Sequence, residues 1–168
     1  MQLTLALHRA RRLHGDKRAV VYADRQWTWA EFTDRVARLA GVLKGLGIGD
    51  GDRVAMLSHS SDRYLEFFFA TLWAGAIAVP VSTRYAQPET AFLLQDSGAK
   101  VLLVGDEFTD MASSIRAETP DLAHCLYTGE GATPAGMLSY GDAMARAEPI
   151  GDARRSGDDV AILFYTGG

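Results

Sequence analysis

Short apolar runs alternate with helix-patterned segments along most of this chain, and this alternation constrains the fold more than any other feature. Strand-like runs occupy 53–57, 76–81, 101–104 and 122–127, and the segments between them end in glycine or proline. Strand–helix–strand units pack as a mostly parallel sheet through right-handed crossovers. The sequence therefore predicts an α/β fold, a mostly parallel sheet flanked by helices.

The segment 28–47 carries the clearest helix pattern. Thr28 and Glu31 stand three residues apart as a capping box, in which each side chain satisfies a free amide of the first turn. Gly47 is the residue type that ends helices in a left-handed conformation. Apolar residues recur between them at helical spacing: Phe32, Val36, Leu39, Leu43 and Leu46.

Cap and turn residues predict the remaining elements and a division of the chain into three parts. The parts are an N-terminal helix and hairpin (1–29), an alternating body (30–148), and a linker and strand (149–168). The elements are a helix at 3–13, a hairpin of 19–22 with 26–28, helices beginning at Ser60 or Ser61 and at Pro88, helices at 108–118 and 139–147, and a last strand at 159–165.

Composition excludes several classes of protein. A net charge of −4 supplies no basic field for a nucleic-acid backbone. No apolar stretch approaches the roughly 20 residues of a membrane span. The single cysteine, Cys125, lies in an apolar run, which suits a core residue in a reducing compartment. We expect a cytoplasmic protein with no transmembrane segment.

The last residues, 163–168, form an apolar strand that runs into Thr166, Gly167 and Gly168. Glycines let a backbone approach an anion closely, and amides and hydroxyls then face its oxygens. A Walker-type Gly-x-x-x-x-Gly-Lys-Ser/Thr motif is absent from the sequence. From these residues alone, a phosphate-binding loop and a flexible turn both stay open.

Three segments in order carry a resemblance to a known family. Trp-Thr-Trp-Ala-Glu-Phe at 27–32 leads to Gly-Ile-Gly-Asp-Gly-Asp-Arg-Val-Ala at 47–55; Leu-Trp-Ala-Gly-Ala-Ile-Ala-Val-Pro-Val fills 72–81, and Tyr-Thr-Gly-Gly ends the chain at 165–168. Together they resemble the adenylate-forming (AMP-binding) superfamily of acyl-CoA synthetases, peptide-synthetase adenylation domains and luciferases. The chain is similar to the N-terminal part of the large AMP-binding domain.

The resemblance implies an acyl-CoA synthetase that uses ATP, Mg²⁺ and CoA to activate a carboxylic acid, as in fatty acid metabolism. Thr166, Gly167 and Gly168 match the loop over the ATP phosphates, although Gly167 stands where the family usually has serine. The family's metal-binding glutamate and catalytic lysine match no position up to Gly168. No catalytic or metal residue is therefore assigned, and the 168 residues alone are expected to be inactive.

Two further candidates follow predicted strands, at the edge where α/β proteins bind ligands. Arg84 is a candidate for a CoA or nucleotide phosphate, with a surface salt bridge as the structural alternative. His59 is a candidate for facing the substrate. The run 67–69 of three phenylalanines favours core packing over an acyl pocket. An amino-acid adenylation domain and a non-catalytic α/β binding module stay open, as do the identity of the acid and a homo-oligomer.

Overall fold

The computed structural model describes residues 2–166, which form six α-helices and seven β-strands. The helices are α1 (Leu5–His14), α2 (Trp29–Gly45), α3 (Asp62–Trp73), α4 (Gln87–Ser97), α5 (Thr109–Ile115) and α6 (Tyr140–Arg146). The strands are β1 (Arg18–Tyr22), β2 (Arg25–Thr28), β3 (Arg53–Leu57), β4 (Ile77–Pro80), β5 (Ala99–Val104), β6 (His124–Tyr127) and β7 (Leu138–Ser139). None of these described helices is long and apolar enough to cross a membrane.

Five strands form one parallel sheet in the order β4-β3-β5-β6-β7. Val54 of β3 pairs with Ala78 on one side and with Val101 on the other. β1 and β2 form a separate antiparallel hairpin. The predicted α/β fold with a mostly parallel sheet flanked by helices is confirmed.

The two faces of the sheet are covered by different helices. Alternate residues of β3 point to opposite sides, so that Met56 joins one apolar core and Leu57 the other. The first core contains buried residues of α1, α2, α3 and α6; the second contains those of α4 and α5. Cys125 lies in the second core, 1% exposed, as predicted. Burial raises the pKa of its thiol, which leaves it a poor nucleophile.

Helix α2 has both predicted end signals. The Thr28 hydroxyl accepts from the Glu31 amide at 3.2 Å, and the Glu31 carboxylate accepts from the Thr28 amide at 2.8 Å. Gly47 has a φ of +84°, the left-handed region that glycine adopts without strain. Of the two predicted caps for α3, Ser61 is the one used, since its hydroxyl accepts from the Tyr64 amide.

Partly buried ion pairs join the hairpin to α3 and α2 to α3. The Arg25 guanidinium donates to both Asp62 oxygens, at 2.6 and 2.8 Å. The Arg35 Nε donates to Glu66 at 2.5 Å, and the Tyr140 hydroxyl donates to the same carboxylate. The Asp62 and Glu66 side chains are 1% and 0% exposed. We call these five residues the sealed network.

The structure differs from the sequence prediction at three places. The predicted helix at 108–118 is shorter, because single 3₁₀ turns (Asp106–Phe108 and Arg116–Glu118) flank α5. The two-residue strand β7 was not predicted, since a pair of residues carries no periodicity. The predicted strand at 159–165 is wrong in its extent, because it makes only one parallel bridge, between Ile162 and Ala78.

Proline accounts for that short pairing. Ala78 donates to the Ala161 carbonyl and accepts from the Leu163 amide, both at 2.9 Å. The amides of Ile77 and Val81 donate to carbonyls on the β3 side. The backbone amides of the even-numbered residues of β4 therefore face away from β3, towards the segment around Ile162. The next residue on that edge is Pro80, which has no N–H to donate. The ladder therefore stops after one bridge.

Candidate functional site

The carboxyl ends of the parallel strands bring several loops to one edge of the sheet. The residues after β3, β4 and β5 meet there, beside the segment that ends at Thr166. The strand order reverses at β3, because β4 lies on one side of it and β5 on the other. In open α/β sheets, ligands bind outside the carboxyl ends of the strands near such a reversal.

Thr166 lies exposed at this edge, next to a cavity of about 420 Å³. Gly167 and Gly168, predicted to complete the phosphate loop, lie outside the described residues. The cavity is lined by Tyr85, Pro88, Glu89, Phe92, Leu93, Tyr165 and Thr166.

Tyr165, the residue immediately before Thr166, is held by two hydrogen bonds. Its hydroxyl donates to Asp96 at 2.7 Å, and its carbonyl accepts from the Tyr85 hydroxyl at 3.2 Å. Burial and the hydrogen bond to Asp96 raise the pKa of Tyr165 to about 12. The hydroxyl is therefore a protonated donor at neutral pH.

Arg84 follows β4 and is exposed. Its guanidinium forms no ion pair with any residue in the range 2–166, so the alternative of a surface salt bridge finds no partner there. Arg84 immediately precedes Tyr85, which lines the cavity beside Thr166. These two predicted residues thus share one edge of the sheet, although Arg84 does not itself line the cavity.

His59 lies at the same edge but in a different cavity. Its Nε2 is 2.8 Å from a Glu107 carboxylate oxygen, and its ring centroid lies 5.3 Å from that of Phe108. This second cavity, of about 390 Å³, also reaches Arg25 of the hairpin, and no described residue lines both cavities. The structure therefore does not bring His59 and Thr166 into one site.

The three phenylalanines at 67–69 pack into the core, as predicted. Phe67 is fully buried in the first core, and Phe68 and Phe69 are partly buried against it.

Sequence reasoning missed Asp96 and the side chain of Tyr85 as parts of this site. Tyr85 lies 80 residues from Tyr165 in sequence, and Asp96 lies 69 residues from it. Neither pairing leaves a local pattern, because both depend on where the sheet places the two segments. An alternation of strands and helices predicts the edge but not the partners along it.

The described residues around Thr166 supply no positive charge, which a complete triphosphate site would need. The described lining of its cavity contains no lysine, arginine or histidine, and its one charged residue is Glu89. In residues 2–166 no group of three or more His, Cys, Asp or Glu side chains could hold a metal ion. These residues therefore do not fit a Mg²⁺ site, and the lining combines the Thr166 hydroxyl with no positive charge.

Comparison with known proteins identifies what this architecture is similar to. A protein family described as AMP-binding enzyme matches residues 7–168. The long-chain-fatty-acid–CoA ligase FadD13 of Mycobacterium tuberculosis is 35% identical over 152 residues, which are 86% of this chain and 28% of that protein. A feruloyl-CoA synthase of Amycolatopsis is 37% identical over 150 residues, 89% of this chain and 28% of that protein.

A solved structure shows the same fold. The anthranilate CoA ligase AuaEII, in complex with anthranoyl-AMP, is 31% identical with a TM-score of 0.94. The match covers 100% of this chain and 32% of that one. The chain thus spans about three-tenths of the length of the proteins it matches.

Proposed function

Because the chain belongs to the AMP-binding enzyme family, we propose that it is the N-terminal part of an ATP-dependent acyl-CoA synthetase. The carboxylate of an acid attacks the α-phosphate of ATP, and the bond to pyrophosphate breaks, which gives an acyl-adenylate. The thiol of CoA then attacks the acyl carbon, loses its proton, and AMP leaves. Such steps depend on holding the reacting groups in line and on stabilising the charge that develops.

The observation that carries the proposal is the position of Thr166. Its exposed hydroxyl stands at the carboxyl edge of the sheet, at the end of a segment docked on β4 and beside a 420 Å³ cavity. A hydroxyl followed by two glycines suits contact with phosphate oxygens. In this proposal Thr166, Gly167 and Gly168 contact the ATP phosphates.

Arg84 and His59 have secondary roles in the proposal. Arg84 is exposed at the same edge, and its guanidinium is without an ion-pair partner in the described part of the chain, which suits contact with a phosphate of CoA or ATP. His59 is assigned to a substrate-facing position, although Glu107 already contacts its ring. Mg²⁺, when bound, would neutralise phosphate charge, and its ligands are not assigned to this chain.

Pyrophosphate exchange into ATP tests the first half-reaction. The protein at its full encoded length should exchange labelled pyrophosphate only when its acid is present. Since the relatives are described as acting on fatty, ferulic and anthranilic acids, the panel includes aliphatic and aromatic acids together with amino acids. Exchange with amino acids alone would favour an adenylation domain, and no exchange with any acid would favour a binding module.

A substitution tests the role of Thr166. Thr166→Ala should raise the KM for ATP about tenfold, because one hydrogen bond to a charged phosphate is lost. Thr133→Ala is a matched control, since Thr133 is also exposed but lies in the loop after β6. Equal kinetics for both variants would contradict the assignment.

The proposal also predicts that the isolated 168 residues form no acyl-adenylate. The described lining beside Thr166 supplies no positive charge to the phosphates. ATP-dependent release of pyrophosphate by the isolated chain, with any acid of the panel, would overturn this expectation.

A further inference from the structure

Tyr165 is held at both of its ends by groups that flank helix α4. Its hydroxyl donates to Asp96, near the C-terminal end of α4, at 2.7 Å. Its backbone carbonyl accepts from the hydroxyl of Tyr85, which lies just before the N-terminal end of α4, at 3.2 Å. We call Tyr85, Asp96 and Tyr165 the tyrosine clamp.

The helix that carries the clamp is itself fixed at both ends. At the N-terminal end, the Glu89 carboxylate accepts from the Ala86 amide at 2.7 Å. At the C-terminal end, Arg53 of β3 donates to the carbonyls of Ser97 and Gly98, at 2.5 and 3.0 Å. Gly98 adopts the left-handed conformation that closes the helix. Helix α4 is therefore tied at its C-terminal end to β3, an interior strand of the sheet.

The segment that ends at Tyr165 packs Ile162 against the first core and Leu163 and Tyr165 against the second. Its pairing to β4 consists of the two hydrogen bonds around Ala78, since Pro80 cannot continue the ladder. Phe164 is 70% exposed. To this backbone pairing and packing the clamp adds two hydrogen bonds at Tyr165, the residue next to Thr166.

From this arrangement we propose that Asp96 and Tyr85 are positioning residues that orient Thr166 by clamping Tyr165. Neither residue touches the phosphates in this proposal; both act through Tyr165 on the direction in which Thr166 leaves the sheet. The catalytic part of the inference rests on the proposed function. The mechanical part, a restraint on residues 163–166, does not.

Hydrogen exchange tests the restraint without reference to any activity. In Tyr165→Phe and in Asp96→Ala, the amides of Leu163 and Thr166 should exchange about five- to tenfold faster, because one hydrogen bond is lost. Amides of β5 should be unchanged. Tyr127→Phe is the matched control, since Tyr127, the last residue of β6, also donates a hydrogen bond to an aspartate, Asp106.

Kinetics test whether the restraint serves the first half-reaction. On the protein at its full encoded length, both variants should raise the KM for ATP about five- to tenfold in pyrophosphate exchange. The KM for the acid, and the transfer of a supplied acyl-adenylate to CoA, should stay unchanged. The double variant should be no worse than either single variant, because both remove the same hydrogen bond. Tyr85→Phe should likewise raise the KM for ATP and leave the KM for the acid and the transfer to CoA unchanged.

The possible outcomes separate the two ideas. Unchanged exchange at Leu163 and Thr166 would overturn the clamp, whatever the enzyme does. Faster exchange with unchanged ATP kinetics would overturn the positioning role, and equal loss in both half-reactions would show a merely structural role. An unmodified protein without pyrophosphate exchange would count against the proposed function alone, while hydrogen exchange would still support or overturn the restraint.

Discussion

Two polar networks, on opposite faces of the sheet, contain similar side chains but have different roles. In the sealed network the carboxylates of Asp62 and Glu66 are 1% and 0% exposed, and each has an arginine partner. In the tyrosine clamp Asp96 is exposed and accepts from a single tyrosine. Each network joins segments that are far apart in sequence.

The difference lies in what water can do when a partner is lost. An unpaired charge in the sealed network is left with little solvent, since the Arg25 and Arg35 side chains are only 27% and 23% exposed, so breaking the pair costs folding free energy. At the clamp, water replaces the lost partner of Asp96, and the cost falls on the orientation of the segment instead. Burial thus decides whether a polar contact serves stability or position.

The largest expected effect comes from breaking the sealed network. Glu66→Ala should lower the free energy of unfolding by about 3–5 kcal/mol, because it leaves Arg35 charged and unpaired. Urea unfolding measures the loss. The matched control is Glu130→Ala, which removes a 65% exposed partner of Arg25 and should cost at most about 1 kcal/mol. Equal losses would contradict the role assigned to burial.

Acid should weaken the same network through Asp62. Burial opposes the charge of this side chain, but donation from Arg25 and Trp27 outweighs it and lowers the pKa of Asp62. The stabilisation is therefore complete above the unfolded pKa of about 3.9 and is lost as pH falls through the lower folded pKa.

Asp62→Asn isolates this contribution. At pH 7 it should cost about 2 kcal/mol, the worth of hydrogen bonds to a charged group. The difference between wild type and variant should shrink as the pH falls below about 4, as followed by urea midpoints across pH. A constant difference down to pH 2 would show that the charge of Asp62 contributes nothing.

Removing a clamp hydrogen bond should have a smaller effect on stability. Tyr165→Phe should lower the free energy of unfolding by about 0.5–1 kcal/mol, because water compensates for most of the lost bond. Thermal or urea unfolding measures this. A loss as large as that of Glu66→Ala would place Tyr165 among the stabilising residues and remove the contrast between the two networks.

The smallest effect is expected at an exposed pair within α2. Asp34 and Arg38 form an i,i+4 salt bridge at 2.6 Å, with side chains 42% and 35% exposed. Asp34→Ala should leave the urea midpoint unchanged within error, because solvent screens such pairs. A clear shift would mean that exposure alone does not separate the two kinds of network.

Local signals predicted most of the fold, and long-range pairings account for what was missed. The capping box of Thr28 and Glu31 and the glycine at 47 were visible because their partners lie within three or four residues. The extent of the segment at 159–165 was not, because Pro80, on another strand, decides where its pairing stops. Periodicity predicts whether a segment is a helix or a strand, but not which edge of the sheet it pairs with.

The candidate site divides in the same way. Arg84 was predicted from its position after a strand-like run and Thr166 from the family resemblance, and the structure places both at the carboxyl edge. Asp96 was not predicted, because an aspartate near the end of a helix carries no sign of a tyrosine 69 residues away. The roles assigned to Thr166, Arg84 and His59 stay predictions.

The strand order also bears on how the chain is made. β3 is the first strand of the sheet to leave the ribosome, and it lies between the next two to emerge, β4 and β5. Each later strand can therefore add to an edge that already exists, since β6 joins β5 and β7 joins β6. Chains generally fold from the N-terminal end during synthesis. The sheet can grow outward from β3, and the residues around Ile162 are made only after β4, the strand they pair with, is already in place.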